Sequence, residues 1–359
     1  MKILCISDAW LPQVNGVVRT YQNVARTLEK SGHTLKVIGP GDFLLTIPAP
    51  GYAEIRLVLL ARWTLPRLIE AAIRNGEADS IHIATEGPLG RAAHRYCLRN
   101  QIPFSTSYHT QFPDYLAKRV EKFSVPLSRI VRNFSLSSLK KFHSRANLTM
   151  VSTPSLEKFL AAEGFAPHFH RFIRGIDASL YHTGPKTEFT DLKRPIALYV
   201  GRVALEKNIE AFLDTPWDGS KVVVGSGPAL SSLQHRYPDV VFTGLKTSTS
   251  LADHYRSADV FAFPSKTDTF GITIIEALAS GLPVAGYPVT GPVDIITSAD
   301  LGALDENFPQ ALNKALTAPG TPEIRAAKTA DFYTWERAAE QFLAGSRKVA
   351  RVPEAAPQK

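Results

Sequence analysis

The sequence predicts an α/β protein built as two domains on parallel sheets. Three observations carry that expectation. A chain of 359 residues suits two domains of ordinary size, each able to bury its own core. The chain opens as strand, helix, strand, and such a unit implies a parallel sheet. In the second half the alternation restarts at Ile196 to Val200 and is clearest from Val260 to Pro283, VFAFPSKTDTFGITIIEALASGLP.

Met1 to Ser7 reads as the first strand. DAWLPQVNGVVRT follows, with Asn15-Gly16 as a turn, and then a helix whose apolar positions include Tyr21, Val24, Ala25 and Leu28. Ser31-Gly32 stops that helix, and Thr34 to Ile38 is the second strand. The opening lacks G-x-G-x-x-G, which argues against a nicotinamide-dinucleotide enzyme. Ser80 to Ala84 is another strand, followed by a capped helix in TEGPLGRAAHRYCLRN. Pro103 to Ser107 leads to Tyr108-His109-Thr110, where a histidine at a strand end is a candidate polar contact to substrate.

Between Ala117 and Ala146 the basic residues Lys118, Arg119, Lys122, Arg129, Arg132, Lys140, Lys141 and Arg145 face Glu121 alone. Phe123, Leu127, Ile130, Phe134 and Phe142 are interleaved with them. A basic amphipathic helix of this kind can lie on an anionic membrane surface; an ordinary solvated face is the plain alternative. Nucleic acid is the weaker third reading, because no recognition signature accompanies the charge. Leu148 to Ser152 is a strand, and Thr153-Pro154-Ser155 opens a helix that ends at Gly164.

In the second half, Ile196 to Val200 is followed by GRVALEKN, which puts two cations, Arg202 and Lys207, on a turn between strand and helix. Arginine grips phosphate through two parallel hydrogen bonds and lysine acts as a point charge. Lys221 to Val224 and Val240 to Thr243 are strands, ending in Gly225-Ser226-Gly227-Pro228 and Gly244-Leu245. Val260 to Phe263 is a buried strand closed by Pro264-Ser265. From Ile272 the apolar residues recur at helical spacing, and Gly281 with Pro283 stops the helix. Asp268 thus precedes the helix and Glu276 lies within it. Free N–H groups at a helix start favour anions, and carboxylates accept from hydroxyls, a pairing suited to a polyhydroxylated phosphate ester. Val284 to Tyr287 is a further strand, and Trp335 to Phe342 begins the last helix.

Composition is that of a globular protein, and no apolar run approaches the roughly 20 residues a spanning helix requires. Cys5 and Cys97 are the only cysteines and share no metal-ligand spacing, so reduced thiols in a cytoplasmic protein are expected. KILCIS does not read as a signal peptide. A net charge of +8 implies an acidic partner without choosing among nucleotide sugars, lipid surfaces and nucleic acid.

Asp268-x7-Glu276 inside PSKTDTFGITIIEALASGLPV resembles the acidic pair of family 4 retaining glycosyltransferases, where the first acid is most often Glu. GRVALEKN and SYHTQFPDYL resemble segments of the same family, the latter its members that act on diacylglycerol or phosphatidylinositol. Glu86 and Gly87 fall in another segment that matches this subgroup, with no role attached. The resemblance implies a GT-B fold, two Rossmann-like doubly wound domains facing a cleft. Residues 1–174 would form the acceptor-side domain, 175–184 (within RFIRGIDASLYHTGP) the linker and 185–334 the nucleotide-sugar domain. Residues 335–348 would form a helix crossing back to the first domain, and 349–359 a disordered tail.

It also implies roles. Gly16 would approach the donor diphosphate, with Val17 where the pattern often has a second glycine. Arg202 and Lys207 would neutralise that diphosphate, Asp268 hold the sugar hydroxyls and Glu276 the ribose. Phe270, Gly271 and Ile272 would bring backbone groups to the donor, and Leu245 would lie near the base. His109 would contact the transferred sugar through its carbonyl or ring. Lys118, Arg119, Lys122, Arg129 and Arg132 would face the membrane and acceptor. No D-x-D occurs, so no metal or other cofactor is expected. The implied reaction is retaining hexosyl transfer to a membrane lipid by a cytoplasmic protein on the inner face of the cell membrane. A polysaccharide transferase, a sugar-nucleotide epimerase and a non-catalytic binding protein are the alternatives.

Overall fold

A computed structural model describes residues 1–13, 15–49, 52–109, 111–121, 124–165 and 168–350. The first domain begins with β1 (Lys2–Ile6), α1 (Gly16–Lys30) and β2 (Thr34–Ile38). A hairpin of β3 (Thr46–Ala49) and β4 (Tyr52–Val58) and helix α2 (Ala61–Arg74) follow. Then come β5 (Ser80–Ile83), α3 (Pro88–Arg99), β6 (Phe104–Ser107), α4 (Phe112–Glu121) and α5 (Val125–His143). β7 (Leu148–Val151), α6 (Pro154–Ala162) and β8 (Phe169–Arg171) complete it. The second domain starts with β9 (Ile196–Val200), α7 (Glu210–Leu213), β10 (Ser220–Val224), α8 (Leu230–Arg236), β11 (Val241–Gly244) and α9 (Ser248–Ser257). β12 (Val260–Phe263), α10 (Ile272–Ala279), β13 (Val284–Gly286), α11 (Pro292–Ile295) and β14 (Gly302–Leu304) continue it. Helices α12 (Phe308–Leu316), α13 (Pro322–Phe332) and α14 (Trp335–Lys348) end the described chain.

Each domain holds a six-stranded parallel sheet, ordered β2-β1-β5-β6-β7-β8 and β11-β10-β9-β12-β13-β14. Helices cover both faces, so strands such as β9 (IALYV) and β12 (VFAF) are apolar along their whole length. In the first sheet Ile3 pairs with both Leu35 and Ser80; in the second, Ala197 pairs with Lys221 and Val260. Strand order reverses beside β1 and beside β9. Ligands of such sheets sit outside the carboxyl ends of the strands at that reversal.

The hairpin of β3 and β4 was not foreseen. The basic stretch expected as one amphipathic helix is two, α4 and α5, packed against each other; Lys122 and Phe123 between them lie outside the described residues. The expected tail begins too early by at least one residue, because Val349 is buried; residues 351–359 lie outside the described residues.

α14 packs on the first domain. Phe342 sets its ring against Tyr21 at 5.8 Å, His82 at 4.9 Å and Phe172 at 5.1 Å between centroids. Gln341 accepts from His170 Nε2 on its carbonyl at 2.8 Å and from the Ile173 N–H on its side chain at 2.9 Å. Gly345 permits this approach, since a Cβ there would stand 2.6 Å from Met150 Cε. The outgoing and returning connections touch: the Ile176 N–H donates to the Tyr333 carbonyl at 2.8 Å.

Candidate active site

Two loops converge where the second sheet reverses. From β9 come Gly201, Arg202 and the short turn Leu205–Lys207; from β12 comes the loop into α10. Asn208, left-handed at φ 52°, ends that turn and donates from Nδ2 to the Pro264 carbonyl at 3.0 Å, tying the loops together. Lys207 Nζ then meets Asp268 Oδ1 at 2.6 Å. Burial works to raise the Asp268 carboxyl, but the charge and hydrogen bond of Lys207 outweigh it and hold the acid below its ordinary range. Arg202 is half-buried on the same turn, and its carbonyl accepts from the Tyr199 hydroxyl at 2.8 Å. The Gly225-Ser226-Gly227 turn braces the cationic loop from behind. A Cβ on Gly225 would stand 1.9 Å from the Gly201 carbonyl oxygen, and one on Gly227 2.3 Å from that of Val203.

Gly271 caps α10 at φ 95°, where a Cβ would come within 2.7 Å of Ile274. Phe270 is a core residue, its ring edge-on to Tyr333 at 5.7 Å, which leaves only its backbone for a ligand. Glu276 is 2% exposed. Its Oε1 accepts from Arg19 Nη2 at 2.8 Å and its Oε2 from the Tyr255 hydroxyl at 2.9 Å. Arg19 belongs to α1, so this ion pair crosses between the domains.

On the first domain, Asn15 caps α1 by accepting from the Val17 and Val18 N–H groups, both at 3.0 Å. Gly16 faces the second domain directly: a Cβ there would stand 3.3 Å from Ile272 Cδ1. His109 follows β6. Its Nδ1 is held by Arg174 Nη2 at 2.8 Å and its Nε2 by the Tyr21 hydroxyl at 3.0 Å. Arginine can only donate, so Nδ1 accepts and the proton of the neutral ring sits on Nε2. Burial first, then the positive field of Arg174, holds His109 far below its usual range. Tyr21 also meets His82 Nε2 at 2.7 Å. Thr269, on the loop of Asp268, donates to the His109 carbonyl at 2.5 Å. Between the carbonyl and the ring, the ring is engaged with the interior.

Gly16, His109, Lys207, Asp268, Ile272 and Glu276 therefore meet at the domain junction. Leu245 does not join them through its side chain, being 67% exposed beyond the edge strand β11. Arg129 is exposed on α5. Arg132, partly exposed, is engaged within its own domain, donating to Asp114 at 2.7 Å and Glu163 at 3.1 Å. The side chains of Lys118 and Arg119 and the whole of Lys122 lie outside the described residues. Arg19, Tyr255 and Arg174 escaped sequence reasoning. Arg174 left a signal in RFIRGID, a cation set between the apolar pair Phe172-Ile173 and Gly175-Ile176. Burial pulls its guanidinium down to about 10, and it also donates to the carbonyls of Phe172 at 2.7 Å and Ile173 at 3.2 Å.

Comparison with known proteins finds similar sequences and the same two-domain fold. Residues 14–180 match the family model described as Glycosyltransferase Family 4, and residues 194–318 match Glycosyl transferases group 1. A GDP-mannose-dependent alpha-mannosyltransferase of Mycobacterium tuberculosis is 28% identical over 85% of this chain and 83% of its own. The alpha-monoglucosyldiacylglycerol synthase of Streptococcus pneumoniae is 27% identical over 95% of this chain and 83% of its own. The structure of sucrose-phosphate synthase from Thermosynechococcus elongatus superposes with a TM-score of 0.74 at 21% identity, covering 97% of this chain and 98% of the other.

Proposed function

Because the chain belongs to the family 4 glycosyltransferases, hexosyltransferases of the GT-B fold that use a nucleotide sugar, we propose which hydroxyl receives the sugar: that of a membrane lipid such as diacylglycerol. Transfer retains the anomeric configuration and needs no metal ion. The observation that carries the donor side is the meeting of Lys207 with Asp268 on the turn that bears Arg202, at the reversal point of the second sheet. Arg202 and Lys207 neutralise the departing diphosphate, and the N-terminus of α1 at Gly16 faces it from across the cleft. Lys207 stays close enough to Asp268 to orient that acid toward the sugar hydroxyls. Glu276 takes the ribose hydroxyls by exchanging its bond to Arg19. The acceptor hydroxyl attacks from the face the diphosphate leaves, and a phosphate oxygen takes its proton. The His109 carbonyl lies beside the developing positive charge.

The lipid acceptor is supported by the name of the diacylglycerol-acting relative and by the outer face of α5. There Ile130 is 64% and Phe134 77% exposed, while Lys140, Lys141 and Arg145 line a basic depression with Ser137 and Ser144. No helix among the described residues is long and apolar enough to cross a membrane, so this face would hold the protein peripherally on the inner leaflet. The test offers purified protein vesicles of diacylglycerol and anionic phospholipid with UDP-glucose, UDP-galactose, UDP-glucuronate or GDP-mannose in turn. A glycosylated lipid from one donor identifies donor and acceptor together. Donor cleavage without a lipid product moves the acceptor to a saccharide. Arg202→Ala, Lys207→Ala and Glu276→Ala should each lower the rate about 100-fold or more, and full activity in any of them removes that residue from the site.

A further inference from the structure

Between β5 and α3 the chain turns through Thr85-Glu86-Gly87, at the carboxyl end of the strand next to β1. Asp8 pins this turn. Its carboxylate accepts from the Leu89 N–H and Thr85 hydroxyl at 2.8 Å and from the Gly90 N–H at 3.2 Å. A Cβ on Gly87 would stand 2.5 Å from the Asp8 carboxyl carbon. Glu86 is thus held in a fixed place at the crevice, its side chain 23% exposed. Its Oε1 accepts from His143 Nε2 at 3.0 Å. His143 is buried, and its Nδ1 is set by the Thr106 hydroxyl at 2.9 Å. Among the described residues Oε2 of Glu86 meets no partner.

An independent observation sits beside this pair. Tyr108 is 1% exposed, its ring is 5.4 Å from that of His143, and its hydroxyl has no hydrogen-bond partner among the described residues. A buried hydroxyl left unmatched costs stability unless something supplied from outside completes it. Of the charges acting on this phenol, that of Glu86 acts most strongly.

We propose that Glu86 Oε2 and the Tyr108 hydroxyl form the acceptor corner of the cleft. They hold a small polyol headgroup with oxygens on adjacent carbons. The carboxylate accepts from the headgroup's hydroxyl, the phenol donates to the neighbouring oxygen, and His143 is the positioning residue for Glu86. The corner rests on the transfer reaction proposed above. The headgroup's hydroxyl turns its proton from Glu86 to the donor phosphate oxygen as it attacks, so the corner takes no proton in the chemical step.

The test separates acceptor from donor. Turnover is measured with diacylglycerol vesicles and, separately, with free glycerol, which tells a lipid headgroup from a soluble polyol. UDP and GDP affinities are measured by calorimetry on the same proteins. Tyr108→Phe removes only the unmatched hydroxyl. It should leave the melting temperature unchanged or higher and nucleotide affinity unchanged, while the acceptor KM rises about 5- to 10-fold. Glu86→Gln should lower acceptor-dependent kcat/KM by ~10- to 100-fold with the donor KM unaltered. His143→Gln should shift the acceptor KM in the same direction by less. An unaltered acceptor KM in both Tyr108→Phe and Glu86→Gln overturns the corner, and so does an equal loss of nucleotide affinity, which marks a structural role. If the unsubstituted protein shows no acceptor-dependent turnover with either probe, the transfer reading fails and the corner falls with it.

Discussion

His109 shows how neighbours decide what a side chain can do. With Arg174 on one nitrogen and Tyr21 on the other, its ring braces the interior while its carbonyl meets the other domain. Histidines kept neutral by burial give the fold a pH signature. His82 is lowered to about 3 and His94 to about 4, both chiefly by burial. Below the ordinary value of 6.5 the unfolded chain takes up protons that these sites refuse, so stability is full above that pH and falls as acid is added. From pH 7 to 5 the two together should remove roughly 3–4 kcal/mol as an upper figure. Urea denaturation at both pH values checks this, and an unchanged midpoint would contradict it. At this scale the sequence reveals types but not partners. Lys207 and Asp268 stood out because each sits in a local motif. The bond of Arg19 to Glu276 joins positions 257 apart, and no local pattern announces it.

Elements were more legible. Strands such as IALYV and VFAF are legible because burial on two faces makes them continuously apolar, and α1 because its cap and stop are written in Asn15 and Ser31-Gly32. The short edge strands β8 and β14, FHR and GAL, carry no such run and are not. The β3–β4 hairpin was not, since Leu44, Leu45 and Ile47 are exposed and follow no core-facing alternation. The glycine turn after β10 says little by itself in the sequence; its meaning lies in the loop it touches. Gly225→Ala should therefore abolish nucleotide binding in calorimetry, because its Cβ would overlap the Gly201 carbonyl and displace the turn that carries Arg202. On α5 the expectation is the reverse. Phe134→Ser should leave the melting temperature within about 1 °C, as surface changes outside the core do. It should also cut sedimentation with anionic vesicles several-fold. Vesicle binding equal to that of the unsubstituted protein would detach α5 from the membrane reading.

Across the whole molecule, the last helix belongs to the packing of the first domain. Phe342→Ala should destabilise that domain by about 3–5 kcal/mol, although the residue lies near the end of the chain. Denaturation followed by hydrogen exchange at β1 and β5 would reveal it, and unaltered protection there would refute it. The two-domain architecture was legible because the alternation restarts after a break. The closed contact between domains was not, because it depends on atoms that only the fold brings together. The hydrogen bond between Ile176 and Tyr333 carries a mechanical consequence. The chain leaves for the second domain and returns from it at one place, so everything between is a module inserted into the first domain and joined to it through the backbone at a single corner. Side-chain bonds such as Arg19 to Glu276 and Thr269 to His109 also cross the junction. Such an attachment works as a jaw. Once the bonds that cross the junction release, the rim far from Tyr333 should open widest, and a donor should enter and leave from that side.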